Sequence, residues 1–291
     1  MPNSALDNFL FDRIKAYRAE TFCSLPHLRV TTLEGAVEFV NRRGFVFFWP
    51  IKDIVLPSLW VANAGDRPVP DEHDDPGHVT WNWKDSMLGK RQWYYGRILR
   101  KRNTIISMES APHFYALTEN YGDYQQDYLI QYEQGRMTLE ARLVYEALLK
   151  EGPLDTITLR KSAHLTGPKS DTPFNKALND LMFDFKVLPI GVSDAGAWHY
   201  AHVYDIVARH IPDLVEKARF IQELAARKKL AGQYFASVGA ARLNDLTRLF
   251  GWTSEDVEKT VKQLEQEEMV QGGFSIPSLG GSWFILNQLV S

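Results

Sequence analysis

Residues 172–190, TPFNKALNDLMFDFKVLPI, decide the fold of this chain. Thr172 and Pro173 predict a helix start, because a hydroxyl can cap the first turn and proline is tolerated there. Apolar residues then recur at helical spacing on one face: Phe174, Ala177, Leu178, Leu181, Met182 and Phe185. Strand-like runs follow at 186–190 and 197–204, separated by a turn rich in Gly, Ser and Asp. This pattern predicts a helix that leads directly into a β-hairpin.

The same order of elements occurs twice in the second half of the chain. Helical segments at 138–151 and 155–164 precede the first copy, and comparable segments precede the second. Three apolar positions correspond between the copies: Leu181 with Leu264, Val187 with Val270, and Trp198 with Trp283. Three helices followed by two strands form the winged-helix arrangement, a helix-turn-helix with an added hairpin.

The first half of the chain predicts a third, more elaborate unit of the same kind. Helices are expected at Leu33–Arg43 and His78–Leu88, and strands at Gln92–Leu99 and Thr104–Met108, with an irregular stretch from Pro50 to His78. The predicted fold class is therefore α+β, predominantly helical, with three tandem winged-helix units. Their expected bounds are residues 1–135, 136–210 and 211–291.

Positive charge is concentrated in residues 84–102, KDSMLGKRQWYYGRILRKR, which we place at the wing of the first unit. Seven basic residues against one acid give this segment +6, whereas the whole chain carries −3. The seven are Lys84, Lys90, Arg91, Arg97, Arg100, Lys101 and Arg102. Such a local surplus indicates a site for an anionic partner, with nucleic acid as the leading candidate. A solvated basic hairpin without a partner is the alternative.

The aromatic residues of this segment have two readings. Trp93, Tyr94 and Tyr95 have the side chains that stack on exposed bases in single-strand binders. Alternation along a strand instead places Trp93 and Tyr95 together on one side, and for these two we expect the core.

A second basic group precedes the helix of residues 172–185 and consists of Arg160, Lys161, His164 and Lys169. Along the helix itself, Asn175, Lys176 and Asn179 either reach DNA or are ordinary solvated positions. The corresponding helix of the third unit, at 253–268, holds six acids and two lysines, so phosphate should repel it. We expect the third unit to be structural or to face a protein partner.

The loop Asp66–His78 is the densest group of acids and histidines: Asp71, Glu72, His73, Asp74, Asp75 and His78. Asp74 and Asp75 are weak candidates for activating a water or holding a divalent metal ion. The spacing of His73 and His78 matches no specific ligand pattern, and an exposed acidic loop is the commoner explanation. The sequence therefore predicts no metal site.

Composition limits the other function classes. The apolar runs are too short to span a bilayer, no secretory signal precedes them, and Cys23 is the only cysteine. The residues contain no phosphate-binding Gly-rich loop and no hydrolase or metalloprotease motif. These features predict a cytoplasmic protein, nucleoid-associated when bound to DNA, with no membrane contact and no cofactor.

Four segments carry a resemblance to a known family: Lys90–Arg97 (KRQWYYGR), Phe114–Leu117 (FYAL), Gln131–Gly135 (QYEQG) and Gly251–Trp252 (GW). The sequence resembles the AlkZ-related proteins, relatives of bacterial DNA glycosylases, over most of its length. The resemblance implies three tandem winged helices with a concave, DNA-facing surface. In the active glycosylases that surface excises alkylated bases and unhooks interstrand crosslinks.

The same resemblance locates a departure from the active enzymes. Those carry Gln-x-Gln or Gln-x-Asp after a glycine and two apolar residues, and the equivalent segment here follows Gly44 and holds Phe47 and Trp49. Neither side chain can act as a general base or orient a water. The resemblance therefore implies a family member without the usual catalytic motif.

Together these observations predict a DNA-binding protein that holds duplex or distorted DNA through a basic wing and is linked to DNA repair. Two alternatives stay open. One is an active glycosylase for alkylated bases or crosslinks that uses carboxylates outside the usual motif. The other is a transcriptional regulator or a protein-interaction scaffold.

Overall fold

The computed structural model describes residues 4–72, 74–276 and 280–291. Its α-helices are α1 (Ser4–Thr21), α2 (Leu33–Arg43), α3 (Leu59–Ala64), α4 (Val79–Met87), α5 (Ala111–Tyr115), α6 (Asp127–Glu133), α7 (Leu139–Glu151), α8 (Thr156–Ser162), α9 (Asp171–Phe183), α10 (Val207–His210), α11 (Pro212–Ala218), α12 (Glu223–Val238), α13 (Leu243–Phe250) and α14 (Ser254–Gln266). Its strands are β1 (Phe45–Phe47), β2 (Trp93–Arg97), β3 (Asn103–Ser107), β4 (Leu154–Asp155), β5 (Val187–Ser193), β6 (Ala201–Ile206), β7 (Ala240–Ala241), β8 (Val270–Ser275) and β9 (Ser282–Leu286).

One order of elements occurs three times along the chain. Helix, strand, helix, helix, strand and strand follow one another from α2 to β3, from α7 to β6 and from α12 to β9. In the second and third copies the short first strand pairs with the last strand, giving the sheet orders β4-β6-β5 and β7-β9-β8. The predicted fold class, α+β and predominantly helical with three tandem winged-helix units, is confirmed.

The second unit shows how the sequence forms its elements. Thr138 caps α7, since its hydroxyl accepts a hydrogen bond from the Ala141 N–H at 3.2 Å. Helix α9 starts at Asp171, one residue before the predicted cap at Thr172. The six predicted core residues of this stretch, from Phe174 to Phe185, are all buried. The helical spacing of apolar residues therefore identified the buried face correctly.

Helix α3 is one of the elements that the sequence did not predict. It lies inside the stretch Pro50–His78, expected to be irregular, and it starts where the Ser58 hydroxyl accepts from the Val61 N–H at 3.2 Å. All of its residues except Asn63 are buried. A six-residue helix that is apolar on every side has no amphipathic period, so periodicity cannot reveal it.

By their internal contacts the residues form two compact units. The terminal unit combines residues up to Thr80 with Glu223–Ser291, and the central unit is Trp81–Gln222. The central unit holds 18 of the 33 Lys and Arg residues and 17 of the 36 Asp and Glu residues, a net charge of +1, which leaves −4 for the terminal unit. The surplus of basic residues therefore belongs to the central unit. No helix of the described residues is both long and apolar enough to cross a membrane.

Candidate nucleic-acid interface

The basic segment forms the β2–β3 hairpin of the central unit. Gly89 begins the turn that leads to it with a φ of +72°, and a Cβ there would lie 2.4 Å from the Ile190 carbonyl oxygen. Only glycine allows this close approach. The strands pair in antiparallel register, with Trp93 opposite Ser107 and Arg97 opposite Asn103. The hairpin therefore starts from a fixed position on β5.

The three aromatic residues of β2 belong to the core. Trp93, Tyr94 and Tyr95 are all buried, and the Tyr94 ring stacks on Phe185 with 4.6 Å between centroids. The expectation of a core position for Trp93 and Tyr95 is confirmed. The stacking alternative is wrong for all three residues, because both faces of this strand are covered.

The tip of the hairpin is built so that its cations face outward. Leu99 is buried and its N–H donates to the Thr104 hydroxyl at 3.1 Å, which anchors the turn. Arg100 and Lys101 follow in the left-handed region, with φ of 55° and 52°. This conformation costs a non-glycine residue about 1–2 kcal/mol. Strain of this kind collects at functional positions, and here it accompanies two exposed cations.

The exposed cations of the hairpin region differ in their partners. Lys101 Nζ lies 2.5 Å from Asp180 Oδ1 on α9, and Arg91 lies 4.0 Å from Asp213 and donates to the His210 carbonyl. The other exposed side chains make no ion pair or hydrogen bond within the described residues. These are Lys90, Arg97, Arg100 and Arg102. Four cations are thus exposed to solvent and unpaired, and they can contact an anion without breaking an existing bond.

Lys84 was predicted to contact phosphate, and the structure corrects this. Its side chain on α4 is buried at 1% exposure. The ammonium lies 2.8 Å from Asp85 Oδ1 and 4.1 Å from the centre of the Trp81 ring. Burial lowers the pKa of Lys84, and Asp85 opposes this shift. Lys84 is therefore an internal partner of Asp85.

The second basic group, together with Lys176, is divided by the structure. Lys161 on α8, Lys169 in the following loop and Lys176 on α9 are exposed. Arg160 is half-buried, donates to the Leu165 carbonyl and the Ser170 hydroxyl, and pairs with Asp171. Arg160 therefore fixes the loop before α9, whereas the three lysines remain on the surface.

In the acidic loop, the weak candidate Asp75 is held by hydrogen bonds within the protein. Both carboxylate oxygens of Asp75 accept from Arg67, at 3.0 and 2.6 Å, and Asp75 also accepts from the Gly77 N–H at 2.7 Å. The Arg67 guanidinium lowers the pKa of Asp75. Asp75 thus stabilises the loop, because both of its carboxylate oxygens already accept hydrogen bonds from Arg67 or Gly77.

The neighbouring Asp74 is exposed, and His73 lies outside the described residues. His78 contacts the Trp60 ring, with 5.5 Å between centroids. No group of three or more His, Cys, Asp or Glu residues among the described ones is arranged to hold a metal ion.

A cluster that the sequence did not reveal lies near the tip of the second wing, the β5–β6 hairpin. The Tyr200 hydroxyl lies within 3.0 and 3.1 Å of the two oxygens of Asp85 and 3.3 Å from His202 Nε2. Burial lowers the pKa of His202 to about 4; Lys84 and Arg97 add to the shift and Asp85 opposes it. Three residues that are ordinary in the sequence thus form one polar network, because the fold brings β6 to the end of α4.

The correspondence of Trp198 with Trp283 is wrong. Trp283 is 5% exposed in β9, whereas Trp198 is 90% exposed in the turn before β6. The second wing spans 20 residues (187–206) and the third spans 17 (270–286), so the spacing that relates Val187 to Val270 does not extend to Trp198. An aromatic residue next to a Gly/Ser/Asp-rich turn was the available sequence signal.

The comparisons with known proteins agree with this architecture. The sequence profile described as AlkZ related matches residues 30–251. The chain belongs to the AlkZ-related family. Among solved structures, the Streptomyces sahachiroi DNA glycosylase AlkZ is similar, with a TM-score of 0.58 and 12% sequence identity over 96% of this chain and 70% of that one. At this identity the likeness shows the fold alone. No curated protein matches the sequence.

The segment after Gly44, which the resemblance aligns with the catalytic motif, is a core strand. Phe47 is fully buried in β1, and its N–H donates to the Pro57 carbonyl at 3.0 Å. Trp49 is half-buried two residues further on. Apolar side chains at these two positions pack with the core and offer nothing to polarise a water.

Proposed function

We propose that this AlkZ-related protein binds double-stranded DNA, including distorted or damaged duplexes, and acts in DNA repair. The observation that carries the proposal is the exposed, unpaired cation set of the β2–β3 hairpin, Lys90, Arg97, Arg100 and Arg102. Wings of winged-helix proteins lie along the phosphate backbone, where Arg and Lys set position without reading bases. Family membership and the likeness to a DNA glycosylase support the same class of partner.

The position of the charges also favours a local contact. The chain carries −3 overall, so long-range attraction to phosphate is absent and binding depends on cations within about 10 Å, the Debye length near 0.1 M salt. Lys161, Lys169 and Lys176 add exposed charge on the same compact unit. The proposed interface therefore belongs to residues 81–222.

Catalysis by the usual family motif is not part of the proposal. The resemblance aligns Phe47 and Trp49 with the glutamines of the catalytic motif. Both carboxylate oxygens of Asp75 already accept hydrogen bonds, from Arg67 and from the Gly77 N–H. A glycosylase that uses other carboxylates is retained as an outcome of the test. The scaffold alternative rests on α14, whose acids are partly paired within the protein, as in Glu255 with Lys259.

The decisive experiment is a salt titration of duplex binding. Wild-type protein and the variant Arg97→Gln/Arg100→Gln/Arg102→Gln are titrated onto plain, abasic and crosslinked duplexes between about 50 and 200 mM salt. We expect the variant to reduce the slope of log K against log salt by about two to three, because each lost phosphate contact removes about 0.9. A matched triple variant at exposed lysines of the terminal unit, Lys15→Gln/Lys52→Gln/Lys262→Gln, should keep the wild-type slope.

Two results would contradict the proposal, and a third would add catalysis to it. Absence of duplex binding at the lowest salt would overturn it entirely. Equal slopes for the two triple variants would remove the hairpin from the interface. Release of a base from alkylated DNA by the wild type would establish the glycosylase alternative.

A further inference from the structure

The tip of the second wing presents one large aromatic side chain to solvent. Trp198 is 90% exposed and makes no ring contact or hydrogen bond with other described residues through its indole. Tryptophan carries the largest apolar surface of any side chain, and a folded protein normally covers most of it. An indole left at a hairpin tip is therefore available to an external partner.

The backbone beneath this indole is anchored. Gly196 has a φ of +86°, a Cβ at that position would lie 3.6 Å from the Ile157 side chain of α8, and the His199 N–H donates to the Gly196 carbonyl at 3.2 Å. Two residues after Trp198, the Tyr200 hydroxyl is held by the Asp85 carboxylate. The tip thus lies against α8 at Gly196 and is hydrogen-bonded to α4 through Tyr200 and Asp85. Anchoring of this kind reduces the entropy that is lost when the indole engages a partner.

The charges around the anchored tip favour a nucleic-acid partner. Arg97 of the basic hairpin acts electrostatically on His202 and Tyr204 of β6. Lys161 is exposed on α8, one turn after the Ile157 that supports the tip. The exposed aromatic residue therefore lies on the same compact unit as the unpaired cations, and one of them, Arg97, acts on its strand. Ile157, Val192 and Tyr200 near the tip are also partly exposed, so a protein contact is kept as an outcome of the test.

We propose that Trp198 stacks against an unpaired or extrahelical base when the protein holds distorted duplex DNA. The inference rests on the proposed function and names the side chain that recognises the distortion. An indole at a wing tip can fill the gap that a missing partner base leaves, whereas a fully paired duplex would first have to be unstacked. Trp198 therefore adds affinity for distorted DNA and little for a paired duplex.

The test compares paired duplex with a duplex that carries 2-aminopurine opposite an abasic site. For Trp198→Ala we expect about a tenfold loss of affinity for the abasic duplex, in line with stacking energies of 1–3 kcal/mol per base, and less than a twofold change for the paired duplex. Wild-type protein should quench the 2-aminopurine fluorescence on binding, and Trp198→Ala should not. Trp198→Phe should restore part of both effects, because phenylalanine can still stack.

Two matched controls exist on the same unit. Phe220 is 82% exposed and Tyr121 is 73% exposed, so Phe220→Ala and Tyr121→Ala remove comparable aromatic surface away from the wing. Both should leave affinity and quenching unchanged. Because Trp198 contributes nothing to the core, circular dichroism of Trp198→Ala should match the wild type.

Each other outcome is decisive. If Trp198→Ala keeps the preference for the abasic duplex, or weakens both duplexes equally, the stacking role is overturned while the proposed function stands. If the wild type binds neither duplex at low salt, the proposed function fails and this inference fails with it. If DNA binding is unaffected and Trp198→Ala abolishes a protein contact, the tip belongs to a protein partner.

Discussion

Residues of the same charge have opposite roles in this protein. Lys84 and Arg100 lie in one basic segment, yet the first is a buried partner of Asp85 and the second is an exposed tip cation. The position within α4 and the left-handed turn decide between these roles. The local charge in the sequence therefore identified residues 84–102 as a candidate site. The structure then showed which of these residues are exposed and can contact an anion.

His202 gives a pH prediction at this scale. Its pKa falls from 6.5 to about 4 on folding, chiefly because burial disfavours the imidazolium. Between these values the unfolded chain binds a proton that the folded chain does not, so stability is highest above pH 6.5 and declines as the pH falls towards 4. Urea unfolding measures the free energy of unfolding at pH 7.5 and at pH 4.5. The decrease between these two pH values should be smaller by about 2–3 kcal/mol in His202→Gln than in the wild type.

The control for this measurement is the exposed His27. His27→Gln should keep the wild-type pH dependence, since its imidazole lies at the surface. Identical pH dependences for His202→Gln, His27→Gln and the wild type would show that His202 does not titrate abnormally.

Among the elements, the contact between the basic hairpin and α9 has the clearest consequence for binding. Lys101 reaches across to Asp180, and its ammonium also lies 5.2 Å from the centre of the Phe183 ring. This pair joins the wing of the first winged-helix unit to the third helix of the second. Asp180 therefore competes with any external anion for Lys101.

Removal of this competitor should strengthen DNA binding. Asp180→Asn frees Lys101, so we expect the affinity for duplex at about 0.1 M salt to rise two- to fivefold and the salt slope to steepen by up to about 0.9. Fluorescence anisotropy across a salt series measures both quantities.

Glu255→Gln on α14 makes the same change in net charge, because it breaks the similar pair with Lys259. This variant should bind like the wild type. Equal gains in the two variants would indicate a general charge effect, and no gain in Asp180→Asn would exclude Lys101 from the interface.

At the scale of the whole molecule, the three repeated units are chemically unequal. The hairpin of the first unit carries unpaired cations, the second wing carries the exposed Trp198, and α14 of the third unit is acidic. One repeated fold thus presents three different surfaces. Binding to DNA should therefore be confined to part of the chain.

Hydrogen exchange can check this asymmetry directly. Addition of duplex DNA should slow exchange in the β2–β3 hairpin and in residues 191–200, and should leave α14 unchanged. About 1 M salt, where the Debye length is near 3 Å, should abolish the difference. If DNA slowed exchange in α14 and left the hairpin unaffected, the interface would lie on the third unit and the proposed location would be wrong.

The sequence by itself determined the repeated fold, because apolar periodicity encodes buried faces locally. The spacing from Phe174 to Phe185 is enough to specify one face of α9, and the basic surplus of residues 84–102 is visible without coordinates. Helix α3 was not predicted because nearly all of its residues are buried, which leaves no amphipathic pattern in the sequence.

Only the tertiary structure decided which polar residues meet and which aromatic residues stay outside. The Tyr200–Asp85 contact joins residues far apart in the chain, and Trp198 is exposed in a turn whereas Trp283 is buried in a strand. The physical reason is that burial and hydrogen bonding depend on neighbours contributed by other elements. A sequence pattern records which side chains are present along one element, and the fold determines what surrounds them.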